Sequence, residues 1–331
     1  MITKPFRLLL ACLLLSPGAV TAEDAAPVLL IHGGAGTLLA TDMSAADRAA
    51  YEAALHEALE AGWQVLADGG TALDAVTAAI LPMEDSPLFN AGRGAVFTAD
   101  GHNELDASIM DGATRAAGAI GGVRWVRNPV LLARRVMEAS PHVFLAGQGA
   151  LAFAIDQGLE LKPSEWFWTE RRWQQMQRAT LQGARPPGPA EGRFGTVGAV
   201  ALDAGGRLAA ATSTGGTTAK RYGRLGDVPV IGAGTWADRG CAVSATGDGE
   251  YFIRAAAASS LCARMALAGE SPEEAASTTL AAIRELGGLG GVIVLDSTGR
   301  ASFAFTTEGM YRGRADAGGR RVAIFAAEET P

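Results

Sequence analysis

Residues 192–216 read GRFGTVGAVALDAGGRLAAATSTGG. Two apolar runs, 196–202 and 208–213, flank a turn at 203–206, which is hairpin patterning. Both runs are rich in small residues with little polar alternation, so helices or a second sheet are expected to cover them. Thr196 opens the first run directly behind Gly195. The plain reading is a β-branched residue at a strand start. The chemical reading is a nucleophile. A hydroxyl reacts poorly until a base takes its proton. A free α-amine, with an ordinary pKa near ~8, would serve as that base if the chain were cut before Thr196. The stretch just upstream holds Pro-Pro-Gly-Pro at 186–189, which suits neither a helix nor a central strand and reads as a surface linker.

Outward from this hairpin the chain alternates blocks of helix and hairpin rather than strict strand–helix–strand units. An apolar run at 28–31 enters a glycine loop, His32-Gly33-Gly34-Ala35-Gly36. Ser44 with Asp47 signals a helix to about Leu66, and Thr71 with Asp74 a second to about Leu81. Turns at Asp100-Gly101 and Asp111-Gly112 mark hairpin chemistry. Helices are expected over 129–139, 149–156 and 251–268, and Ser271-Pro272-Glu273-Glu274 starts another that ends near Leu286. A hairpin at 291–306 closes the chain, and 157–195 reads as a flexible linker. Hairpins with helices in blocks predict an α+β fold in which two antiparallel sheets lie between helical layers.

The 331 residues carry a net charge of −7, and this mild acidity argues against a nucleic-acid partner. Lys4 and Arg7, the apolar run 8–15 and the small residues before Ala22 read as a secretion signal cleaved after Ala22, leaving no membrane partner and a periplasmic or secreted protein. Cys241 and Cys262 remain in the mature chain. An oxidising compartment permits a bridge, but Cys262 lies on an apolar helix face and a core thiol is the favoured reading. Neither a phosphate-binding GxxxxGK[ST] nor a GxSxG elbow is present, and the four histidines stand in no metal-ligand spacing.

Two further stretches carry chemistry. Arg224-Leu225-Gly226-Asp227 puts a guanidinium and a carboxylate on a glycine loop, able to hold the α-carboxylate and α-ammonium of an amino acid, or simply to form a surface ion pair. Residues 244–250, SATGDGE, end a strand and open a helix, where Thr246 and backbone N–H groups can face an oxyanion.

In chain order, IHGGAGT (31–37), LFNAGRGAVFT (88–98), ELDASIMDG (104–112), GTVGAVALD (195–203), AAATSTGG (209–216), GRLGDVPVIGAGTWAD (223–238) and SATGDGEYFIR (244–254) resemble the isoaspartyl peptidase/L-asparaginase family of N-terminal nucleophile hydrolases. The resemblance spans nearly the whole mature chain. It implies a four-layer αββα sandwich and self-cleavage between Gly195 and Thr196. The products would be an α chain, 23–195, and a β chain, 196–331, associated as an (αβ)2 heterotetramer. It implies Thr196 as nucleophile, Thr214 as its supporting hydroxyl, Thr246 and Gly247 as the oxyanion hole, and Asn90 beside the nucleophile. Arg224 and Asp227 would clamp an aspartyl substrate, with Leu225, Gly226, Asp248 and Gly249 lining the site. It implies no catalytic cofactor, but a structural Na⁺ on the backbone of Glu84, Leu88 and Phe89. Asp248 departs from the pattern; its carboxylate would either repel an anionic substrate or face solvent. The implied substrate is asparagine or a β-aspartyl dipeptide. The competing readings are a glycosylasparaginase and a non-catalytic periplasmic amino-acid-binding protein, which would stay uncut.

Overall fold

The computed structural model describes residues 26–36, 41, 43–181 and 195–331. The hairpin of the opening stretch lies at its centre. Strands β5 (Val197–Leu202) and β6 (Leu208–Thr214) pair antiparallel, and every residue of both is buried. They join β1 (Val28–Gly36), β2 (Leu105–Asp111), β3 (Ala117–Val123), β4 (Phe144–Ala146), β11 (Gly309–Asp316) and β12 (Gly319–Phe325). The order in this sheet is β12-β11-β1-β5-β6-β2-β3-β4. A second sheet has the order β10-β9-β8-β7, from β7 (Thr235–Ala237), β8 (Cys241–Gly247), β9 (Gly290–Asp296) and β10 (Ala301–Phe305). Neighbours are antiparallel throughout, except that β4 adds parallel to β3.

The two-residue period of β5 shows how the layers form. Val197, Ala199 and Ala201 face a core shared with α1 (Ala45–Ala67), α2 (Ala72–Asp85), α3 (Pro129–Ala139) and α4 (Gly147–Asp156). Val200 and Leu202 face the other way, into a core between the sheets with Leu30, Ile293, Leu295 and Met310. A third core joins the smaller sheet to α8 (Ala257–Ala268) and α9 (Pro272–Glu285). Helix, sheet, sheet and helix make the expected αββα sandwich. The predicted caps are in place: Ser44 Oγ accepts from Asp47 N at 3.0 Å, Thr71 Oγ1 from Asp74 N at 3.1 Å, and Ser271 with Glu274 forms a reciprocal capping box.

Several boundaries differ from the sequence expectation. Helix α2 runs through Pro82 to Asp85, because the buried Met83 and Glu84 draw its last turn into the core. The helix expected over 251–268 is two, α7 (Gly249–Ala255) and α8, separated by Ala256 at φ 45°. The first N–H groups of α8 bond to carbonyls of Gly232 and Ala233, a tertiary pairing that a run of alanines does not reveal. Much of the expected flexible linker is ordered as α5 (Ser164–Phe167) and α6 (Glu170–Leu181), which bury Phe167, Arg172 and Met176. Residues 182–194 and the signal-like segment 1–22 lie outside the described residues. The chain also continues past the 291–306 hairpin into β11 and β12, whose arginines hid their strand character; β11 docks on β1.

Cys241 and Cys262 are bridged, with Cα atoms 5.6 Å apart, so the core-thiol reading of Cys262 is corrected. The apolar faces that bury both residues are the same faces that bring β8 and α8 together.

Candidate active site

Strand β5 begins where β1 makes its glycine turn. His32 stands opposite Gly198, and β1 then bulges through Gly33 and Gly34. Gly34 (φ 110°) and Gly195 (φ 57°) are in van der Waals contact, so a Cβ on either would collide with the other's backbone. The glycine turn therefore closes directly over the 195–196 peptide. Thr196 is buried, and its Oγ1 donates to Thr214 Oγ1 at 3.2 Å. Thr214 Oγ1 also accepts from Gly216 N at 3.0 Å, which fixes that hydroxyl at the end of β6.

The Thr196 carbonyl is held by His32 Nδ1 at 3.0 Å. A carbonyl only accepts, so Nδ1 carries the ring proton and Nε2 is an acceptor. Ser244 Oγ then donates to Nε2 at 2.8 Å, Thr212 Oγ1 to Ser244 at 2.7 Å, and Thr235 Oγ1 to Thr212 at 2.5 Å. Ser108 Oγ closes the chain, 2.7 Å from Thr235 Oγ1 and 2.6 Å from the Val228 carbonyl. All five side chains are fully buried. Burial lowers the His32 pKa to about 3, so the ring is neutral at any working pH. A row of residues with no charge thus sets the tautomer that orients the Thr196 peptide.

Strand β8 delivers the next group. Thr246 is buried at its end, and its Oγ1 accepts from Ala35 N at 3.3 Å, tying it to the glycine turn. Gly247 follows, then Asp248. The Asp248 side chain is buried rather than facing solvent, and Oδ2 accepts from Leu289 N at 2.9 Å.

Arg224 and Asp227 lie against Gly249, the first residue of α7. A Cβ on Gly249 would come 2.8 Å from Asp227 Oδ1 and 2.9 Å from Arg224 Nη2. Burial raises the Asp227 carboxyl to about 7, and its Oδ2 is buried without a hydrogen-bond partner. Gly226 lies against the Arg224 guanidinium, whereas the Leu225 side chain turns away to pack over Gly121 beside Phe144. Behind the clamp, buried Lys220 places Nζ 3.8 Å from Asp106 Oδ2 and 3.9 Å from Glu104 Oε2. Gly216 joins the halves of the site: it donates to Thr214 and lies beside Lys220 and Arg224.

Asn90 holds backbone. Its Nδ2 donates to the Gly216 carbonyl at 2.8 Å and its Oδ1 accepts from Val96 N at 2.9 Å, so it staples the 88–96 loop to the nucleophile's loop. Arg172 of α6 clamps the same loop from behind. It is fully buried and donates to the carbonyls of Gly94 at 2.8 Å and Leu88 at 3.4 Å. Tyr51 Oη also donates to Leu88 O at 3.2 Å. The Glu84 carbonyl lies against Gly92 and the Phe89 carbonyl against Gly94. Glu84 Oε2 is buried and unpartnered nearby; burial raises this carboxyl to about 8, against hydrogen bonds from Ser213 and the Val130 N–H.

A buried threonine hydroxyl at the start of β5, beside Thr214, with Thr246 at the end of β8 and an arginine–carboxylate pair against Gly249, is a specific arrangement. The sequence profile of the asparaginase family matches residues 25–324, almost the whole described chain. The chain belongs to the asparaginase family. Its αββα sandwich is therefore that of the N-terminal nucleophile hydrolases. The isoaspartyl peptidase of Escherichia coli is 48% identical over 293 residues, covering 86% of this chain and 91% of that one. The isoaspartyl peptidase/L-asparaginase of Rattus norvegicus is 42% identical, covering 87% and 85%, and that of Xenopus laevis 42%, covering 86% and 90%. Around this asparaginase-family site, sequence reasoning missed the His32 chain, Arg172 and Lys220. The first left a trace, since Thr212 is a polar residue on a run expected to be covered.

Proposed function

We propose that this protein is a self-processing threonine amidohydrolase that converts L-asparagine and β-aspartyl (isoaspartyl) peptides to L-aspartate. The observation that carries the reading is Thr196: buried, hydrogen-bonded to Thr214, and linked through Gly216 to the Arg224/Asp227 pair. In maturation the Thr196 hydroxyl attacks the Gly195 carbonyl, the amide becomes an ester, and water releases Gly195 as a carboxylate. The freed α-amine then acts as base.

In turnover Asp227 takes the substrate's α-ammonium and Arg224 its α-carboxylate, which presents the side-chain amide to Thr196. The α-amine removes the Oγ1 proton as oxygen attacks. Thr246 and Gly247 supply donors to the oxyanion. The proton passes to the departing ammonia or peptide amine, leaving an aspartyl ester on Thr196. Water, deprotonated by the same amine, hydrolyses it. Neutral His32 keeps the Thr196 peptide from rotating through both steps.

The test is a Thr196→Ala protein, expected as one inactive band on a denaturing gel, beside a wild type that gives two. Side-by-side turnover of asparagine, a β-aspartyl dipeptide and N-acetylglucosaminyl-asparagine identifies the substrate. An uncut wild type without amidase activity would sink the proposal, and turnover of the glycosylated substrate alone would replace it with a glycosylasparaginase.

The same reading extends to location, assembly and ion. Residues 1–22 have signal-peptide pattern, and the Cys241–Cys262 bridge suits an oxidising compartment, which together support export. No helix among the described residues is long and apolar enough to cross a membrane. Cell fractionation decides between periplasm and cytosol. Pairing of two αβ units is the expected assembly, and sedimentation of the mature protein measures it. A sodium ion on the Glu84 and Phe89 carbonyls would stiffen the Asn90 loop and take no part in the chemistry.

A further inference from the structure

Glu250 follows Gly249 in α7 and forms a two-pronged pair with the clamp arginine. Its Oε1 accepts from Arg224 Nε and its Oε2 from Arg224 Nη2, both at 2.9 Å. The Glu250 side chain is 60% exposed and that of Arg224 19%. A pair this close to solvent adds little to stability. Its geometry is more telling. A guanidinium offers one edge at Nε and Nη2 and another at its Nη1/Nη2 end. Glu250 fills the first. Nη1 is on the other side: a Cβ on Gly226 would sit 2.8 Å from it, and one on Gly216 would sit 3.5 Å away. Gly216 is one hydrogen bond from Thr214, the partner of Thr196.

We infer that Glu250 is a positioning residue for the substrate's α-carboxylate. It holds the outer edge of Arg224 so that the guanidinium offers only its inner end, on the nucleophile's side, to that carboxylate. This rests on the clamp reading of Arg224 given above. A long arginine side chain loses considerable rotamer freedom when a ligand fixes it, and a partner that fixes it beforehand removes that loss from the binding step. Glu250 also places a negative charge on the outer edge, so a substrate carboxylate is repelled from the position that would leave the side-chain amide out of reach of Thr196.

The experiment compares wild type, Glu250→Ala, Glu250→Gln and Arg224→Ala with L-asparagine and with L-asparaginamide, which lacks the α-carboxylate. For Glu250→Ala the KM for asparagine is expected to rise about five- to tenfold while kcat stays within about twofold. The ratio of kcat/KM for asparagine over asparaginamide should fall by the same factor. Glu250→Gln, which keeps one acceptor, should fall between. A Glu250→Ala enzyme with unchanged or lower KM, or with equal losses on both substrates, overturns the inference. If Arg224→Ala raises KM while the Glu250 variants do not, only the role of Glu250 is lost. If Arg224→Ala also leaves KM unchanged, the clamp reading falls with it.

Discussion

Replacing Gly198 by alanine tests the buried chain behind the nucleophile. Gly198 faces His32 across β5 and β1. A Cβ there would lie inside van der Waals contact of both His32 Nε2 and Ser244 Oγ, wedged into their 2.8 Å hydrogen bond. Neither partner can move aside, since both are wholly buried on paired strands. Two costs follow. Leaving buried polar groups unpaired costs about 1–3 kcal/mol. Forcing a methyl into a filled core costs about 1–3 kcal/mol more. Together they amount to about 2–6 kcal/mol, which for a chain of this size lowers Tm by about 3–9 °C. Gly149→Ala is the control, because nothing lies within 4 Å of a Cβ there and the helix interior prefers alanine. Thermal unfolding followed by circular dichroism reads both variants, and a denaturing gel reads the cut at 195–196. The control should be unchanged or slightly more stable, and Gly198→Ala should be less stable and slower to cut. A Gly198→Ala protein within about 2 °C of wild type and cut at the normal rate would refute the account of the chain.

Three further outcomes follow from the same geometry. Because burial raises the Asp227 carboxyl to about 7, its carboxylate form is lost as pH falls through that value. The kcat/KM ratio of asparagine over succinamic acid, which lacks the α-amine, should therefore fall up to about tenfold per pH unit below 7, and a flat ratio would disprove the assignment. Opening the Cys241–Cys262 bridge, which spans 21 residues, should cost about 3 kcal/mol, so Cys262→Ala should melt about 4–5 °C lower and lose any response to dithiothreitol. Exchanging sodium for choline at constant ionic strength should lower Tm, and identical melts in the two salts would remove the ion from the 84–94 loop.

Local rules carried much of this structure in the sequence. Ser44, Thr71 and Ser271 announced three helix starts because a cap is a contact within four residues. The hairpin around 203–206 was legible for the same reason, and the small-residue runs of β5 and β6 told of cover on both faces. What escaped was set by distant partners. Ala256 breaks a helix because α8 bonds to Gly232 and Ala233. Arg172 looked like one more charge in a linker, and becomes a buried clamp only when the 88–94 loop arrives beside it. At the site, Thr196, Thr246, Arg224 and Asp227 were found through their residue types and motifs. The His32 chain was not, because its five members come from β1, β2, β6, β7 and β8, and only the sheet order brings them into one line.

That sheet order has a consequence for how long the enzyme lasts. Strand β1, from before residue 195, lies between β5 and β11 from after it, and β2 lies against β6. The disulfide sits wholly within 196–331 and would not bridge the proposed cut. Before cleavage, folding is an event within one chain. After the proposed cleavage, unfolding would release two fragments, each missing the neighbours of its own strands, and recovery would become a second-order encounter between them. Exposed strand edges then have aggregation as a competing fate. A mature molecule would thus be assembled only once, and its working life would depend on the barrier to opening rather than on any equilibrium it could return to.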